Sequence, residues 1–208
     1  VSPEHFQILK AIPEAQRDAA LLTVTHAWAV GQCRIKALDE ATNSVQIKGR
    51  SRYPFVEYEP DQRYWIENIR SALDAPGEWF LDRTSRELLY LPMDGEDMAH
   101  AKVVAPVADK FLLITGAKSL HFTGLSFQHG NYTYPADGLH DGQAATTVDS
   151  AIEIEDSTEI HFLDCEIAHL GRHAIGFRNG CSRSTVRSCH LHDLGGGGVY
   201  IGEIARPS

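Results

Sequence analysis

The chain has 208 residues, 43% of them hydrophobic, so it can bury a sizeable core and is long enough for one domain or two. A formal net charge of -9 argues against a nucleic-acid backbone as partner, and no apolar run approaches the length of a membrane span. Residues 1 to 20 lack a basic-then-apolar signal pattern, and Cys33, Cys165, Cys181 and Cys189 have neither zinc nor redox spacing.

Residues 1–20 read as a polar lead-in segment, in which Ser2-Pro3-Glu4 and Pro13-Glu14 can each start a helical turn. From Leu21 the spelling changes to strands, at Leu22-Thr23-Val24, Arg34 to Leu38 and Ser44 to Ile47, with Asp39 to Asn43 as a turn. A further strand, a helical turn around Asn68 to Leu73, and a hairpin from Glu78–Leu81 to Leu88–Leu91 complete a small β-domain over residues 21–105.

Residues 106–208 repeat. Ala151-Ile152-Glu153-Ile154 returns as Ala174-Ile175-Gly176-Phe177 and as Gly198-Val199-Tyr200-Ile201, at steps of 23 and 24. Leu120 to His129 lines up with Ile160 to His169 at an offset of 40, which leaves Asn131 to Asp149 as an insertion. A fixed period of this size means stacked turns, because one turn cannot bury its own apolar face. Apolar residues alternate within short runs, so the expected class is all-β: a right-handed parallel β-helix with a small inserted β-domain near the N-terminus. A β-sandwich with coincidental repeats is the alternative. Ile152, Ile175 and Val199 are expected in one inward ladder, at rungs about 4.8 Å apart. Cys165 and Cys189 stack as well, as buried thiols or at disulfide distance.

Tyr64-Trp65-Ile66-Glu67-Asn68, Leu73 to Arg83 and Leu89-Tyr90-Leu91-Pro92 resemble the β-domain inserted in secreted right-handed β-helix proteins. Gly124-Leu125-Ser126-Phe127 and His192 to Gly198 extend the resemblance from Leu21 to the end. It points to carbohydrate-active enzymes similar to glycoside hydrolase families 141 and 120. It implies a secreted, periplasmic or cell-surface location and a polysaccharide or oligosaccharide partner, with neither nucleic acid nor membrane. It also implies further turns on either side of this stretch, since no cap is spelled at Ile201 to Ser208, and hence that the chain is a fragment.

Glycoside hydrolysis uses two carboxyl groups, about 5 to 5.5 Å apart for retention and 6.5 to 9.5 Å for inversion. With Ile152 and Ile154 inside, Glu153 and Glu155 face out, followed one rung on by Gly176 and Arg178 and then by Tyr200 and Gly202. Glu153 is the candidate catalytic carboxylate, Gly176 leaving a notch beside it and Tyr200 forming a wall. Glu155 and Arg178 read as a cross-strand ion pair, or Arg178 grips an acidic sugar. Asp193, stacked over His169, is the second candidate: it orients an imidazole or tunes a general acid, or else serves the turn before Gly195.

Tyr200, Arg178, His173, His169, Gln143 and Tyr134 form the expected substrate-binding set. The last two groups in it come from the Asn131–Asp149 loop, expected to project and wall the cleft. No metal or cofactor is expected, since His192, Asp193 and His169 would have to converge, and alternating His190 and His192 also mark a polar strand face. The expected function is hydrolysis of glycosidic bonds through a carboxylate pair completed outside this stretch; a non-catalytic glycan-binding protein and a polysaccharide lyase are the alternatives.

Overall fold

The computed structural model describes residues 1–56 and 60–203. It is mostly β and divides into two compact units, one of residues 1–102 and 134–143, the other of residues 103–133 and 144–208.

The first unit opens with α1 (Pro3–Ala11) and α2 (Glu14–Arg17). Ser2 caps α1, its side chain accepting the His5 N–H at 3.2 Å, and Pro3 stands where a missing N–H is harmless. Strands β1 (Leu21–Thr25), β2 (Val30–Asp39), β3 (Ser44–Ile47) and β4 (Tyr64–Glu67) pair antiparallel, followed by the hairpin β5 (Trp79–Asp82) and β6 (Glu87–Tyr90). Leu9 and Ile12 of the helical segment close over Ala20, Ile35 and Ile69. Burial pushes the Cys33 thiol up to about 11, so it is an inert core group.

The second unit begins with β7 (Leu112–Thr115), β8 (Lys118–Thr123) and β9 (Ser126–Gly130). The chain then supplies β10 (Leu139–His140) to the first unit, where it pairs antiparallel with β2. Asn131–Asp149, expected to project throughout as a loop, instead extends a sheet with its middle. Arg34 explains why: its guanidinium donates to the carbonyls of Tyr134 and Pro135, and Gln32 donates to the Tyr134 hydroxyl at 2.7 Å.

Strands β11 (Ser150–Glu155), β12 (Thr158–Leu163), β13 (Glu166–Leu170), β14 (His173–Phe177), β15 (Thr185–Arg187), β16 (His190–Leu194) and β17 (Val199–Ile201) complete the second unit. Every pairing is parallel, and the chain visits three sheets in the same order each time round: β7-β11-β14-β17, β8-β12-β15 and β9-β13-β16. Ile152, Ile175 and Val199 share one ladder, but only Ile152 and Ile175 are buried in it; Val199, expected inward with them, is 42% exposed. Ile152, Ile154, Ile160, Phe162, Ile167 and Ile175 are fully buried, and Phe122 stacks on Phe162 with ring centroids 4.8 Å apart. Cys165 and Cys189 are free thiols, each facing backbone carbonyls.

The corners repeat as strictly as the strands. Positive φ recurs at Gly116, Asp156 and Gly180, at Ser119, Glu159 and Arg183, at Gly124, Asp164 and Ser188, and at His129, His169 and Asp193. The left-handed region costs a non-glycine residue about 1 kcal/mol. Gly or Asp, which adopt it readily, hold six of these twelve positions, while its return at Glu159, Arg183 and Ser188 at the same points of successive turns shows that the stacked turns impose the bend there.

Candidate functional site

Parallel pairing puts Glu153, Gly176 and Tyr200 in one outward row, the row expected from parity. The notch expected at Gly176 is filled. A Cβ there would lie 2.5 Å from Ser150 Oγ and 3.4 Å from Arg178 Cζ, so the missing side chain makes room for Ser150 and for the Arg178 guanidinium. Arg178 does not pair with Glu155, although Ile154 and Phe177 are register partners immediately before them. It folds back over Gly176 instead, donates from Nη2 to Glu153 Oε1 at 2.8 Å, and sits 4.9 Å above the Tyr200 ring.

Glu153 has a second cation, Lys110, whose Nζ lies 3.0 Å from Oε2 and 2.5 Å from Asp149 Oδ2. The same Lys110 ammonium donates to the Ser150 carbonyl at 2.7 Å. Asp149 also accepts from Arg172, which stands 3.8 Å from Asp109 and stacks its guanidinium on Tyr132. Burial raises the Glu153 pKa, but the hydrogen bonds and charges of Arg178 and Lys110 outweigh it and hold the carboxyl below its ordinary range. The result is a partly buried, ionised network running along the edge of the first sheet. A carboxylate so held can act as an anion, whereas a general acid needs a raised pKa.

Lys110 and Asp149 are not among the site residues expected from the sequence. The signal was present: the step that carries Ser150 onto His173 also carries Asp149 onto Arg172, and the offset of 40 carries Asp109 onto Asp149.

The other expected residues fall elsewhere. His173 is buried; its Nδ1 accepts the Gly197 N–H at 2.6 Å and its Nε2 lies 2.8 Å from the Ala145 carbonyl, so it is the Nε2–H tautomer and both nitrogens are engaged. His169 and Asp193 belong to the third sheet, where His169 Nδ1 meets Asp193 Oδ2 at 2.5 Å and the His129 ring stacks on His169 at 4.8 Å. Their contact was expected, and both residues are exposed corner positions with positive φ. Tyr134 and Gln143 belong to the first unit. The expected set is thus divided among the first sheet (Glu153, Arg178, His173, Tyr200), the third sheet (His169, Asp193) and the first unit.

The third sheet also gathers Glu166, His190 and His192, with one ligand-type atom of each within 4.8 Å of the others. His192 Nε2 is 3.2 Å from Glu166 Oε1, while Glu166 Oε2 accepts from Ser126 Oγ at 2.9 Å and from Gln128 Nε2 at 2.5 Å. The His192 contact first, then Ser126 and Gln128, keep the Glu166 carboxyl below its usual range. Glu166 was not singled out from the sequence, though the step of 24 sets it beside His190.

No protein-family model matches the chain, and no curated protein matches it. Among solved structures, one titled "Glycoside hydrolase" is similar, with a TM-score of 0.74 over 90% of this chain at 19% sequence identity. The chain spans 39% of the length of that structure. At this identity the likeness shows a shared fold, that of a β-rich protein with parallel sheets.

Proposed function

We propose that the second unit is a stretch of right-handed parallel β-helix, and that the protein is an extracytoplasmic carbohydrate-active enzyme hydrolysing glycosidic bonds of a plant or microbial polysaccharide. The observation that carries this reading is the backbone likeness to a glycoside hydrolase over 90% of the chain. The resemblance of Tyr64 to Asn68 and of Leu73 to Arg83 supports the same class and the extracytoplasmic location. Within this reading the sugar meets the outer face of the first sheet, where Tyr200 offers a ring and Arg178 a guanidinium. Glu153, held ionised, takes the anionic part as nucleophile or as stabiliser of positive charge at the anomeric carbon, and the proton donor is a different carboxyl. His169 and Asp193 form a second polar surface on the third sheet, where an imidazole held by a carboxylate can hydrogen-bond a sugar hydroxyl.

One observation favours a second reading, glycan binding without cleavage: both oxygens of Glu153 are already matched by cations. Full-length protein is incubated with a panel of plant and microbial polysaccharides, and new reducing ends are measured. Their release, reduced by about 10²-fold or more in Glu153→Gln, supports the enzyme with Glu153 in the chemistry. Retention of a polysaccharide with no new reducing ends supports the binder. Neither release nor retention on any polysaccharide overturns the carbohydrate reading.

A further inference from the structure

The outer face of the sheet β9-β13-β16 carries a donor set that the Glu153 network does not use. His190 and His192 are two apart on β16, so both imidazoles leave the same face, with ring centroids 4.1 Å apart. Parallel register sets Glu166 of the preceding turn beside His190, and Ala168 beside His192. Ala168 puts only a methyl group where a longer side chain would crowd the space between Glu166 and His192. Glu166 is oriented for a ligand: Ser126 and Gln128, one turn earlier, occupy Oε2 and leave Oε1 turned toward His192. The His190 imidazole has no hydrogen-bond partner among the described residues.

We propose that Glu166, His190 and His192 bind a divalent first-row transition metal ion, with Zn²⁺ the ion that fits two imidazoles and a carboxylate. Imidazole donors favour Zn²⁺, Cu²⁺ or Ni²⁺ over Ca²⁺ and Mg²⁺, which take oxygen ligands. The three candidate ligand atoms lie within 4.8 Å of one another, and the ligands of a tetrahedral zinc stand about 3.4 Å apart, a gap that small rotations of these side chains close. His190 is exposed and Glu166 and His192 are half-buried, so solvent reaches the three donors. The ion joins consecutive turns, because Glu166 comes from β13 and both imidazoles from β16. Ser126 and Gln128 form the outer shell that fixes the carboxylate, as metal sites require.

The test uses full-length protein stripped with a chelator and titrated with Zn²⁺ by calorimetry and with Co²⁺ by visible absorption, with circular dichroism confirming that each variant is folded. The wild type is expected to bind one equivalent more than His192→Ala, and the Co²⁺ ligand-field bands of that equivalent disappear with it. Glu166→Gln, which keeps the shape and removes the charge, weakens the same equivalent. Gln128→Ala lowers its affinity by about 10-fold through loss of orientation. His121 and His161, stacked at 4.7 Å on the second sheet and part of no three-donor group among the described residues, provide the control: replacing both with Ala leaves the site intact. Equal Zn²⁺ stoichiometry and affinity in wild type, His192→Ala and Glu166→Gln overturns the proposal, as does loss of the equivalent in the His121/His161 control.

Discussion

Arg178 reaches back along its own strand direction to bond Glu153 at 2.8 Å, across the position where Gly176 has no side chain. The glycine that suggested an opening for a sugar hydroxyl is instead the seat of a guanidinium and of Ser150. Two properties of Glu153 follow, its partial burial and its depressed pKa, and both are testable.

Glu153→Ala leaves Lys110 and Arg178 partly buried without their shared counter-ion. We expect a loss of about 2 kcal/mol, below the full cost of breaking a buried pair because Glu153 retains some solvent contact. Urea unfolding of variant and wild type measures it. An unchanged midpoint would mean that the network adds nothing to stability.

The same carboxyl makes stability depend on pH. Its folded pKa is depressed, so the unfolded chain binds a proton at this position more readily than the folded one. Its contribution is complete above the ordinary glutamate value of about 4.3 and is lost as pH falls through the lower folded value. Between pH 7 and pH 3, the stability difference between wild type and Glu153→Gln should shrink. A difference constant across that range would contradict the depressed pKa.

Gly176→Ala puts a Cβ 2.5 Å from Ser150 Oγ and 3.1 Å from Ser150 Cβ. The overpacking is expected to cost about 1–3 kcal/mol. Ser150→Gly in the same chain removes both clashing atoms and should restore part of the loss. Failure of that rescue in thermal or urea unfolding would show that the constraint lies elsewhere.

Ser188 holds the corner between β15 and β16 with φ of 53°. Ser188→Val forces a β-branched side chain into the left-handed region and is expected to destabilise by about 1–2 kcal/mol, whereas Ser188→Gly is neutral or better. Equal stability of the two variants would show that the corner does not depend on its backbone conformation.

Phe162 is fully buried and stacked on Phe122 in the interior. Phe162→Ala should cost about 3–5 kcal/mol, read as the shift in unfolding midpoint, because the surrounding turns cannot collapse into the space.

By itself the sequence determined the ladders. A period of 23 to 24 residues, with apolar residues alternating inside each short run, leaves one way to bury Ile152, Ile154, Ile167 and Ile175 together, and the strands pair accordingly. The His169–Asp193 contact was legible for the same reason, since backbone register alone brings the two side chains to one corner. What tertiary structure decided is where long side chains go once the backbone is placed. Arg178 had two carboxylates within reach on the neighbouring strand and chose Glu153 because Gly176 opened a path that Glu155 lacks. The residues 134–143 read as a loop because a two-residue strand has no period of its own, and only the unpaired edge of β2 gave it a partner. The offset of 40 sets Lys110 beside Ser150, yet spacing alone does not say where its long side chain goes; the fold places its ammonium between Asp149 and Glu153.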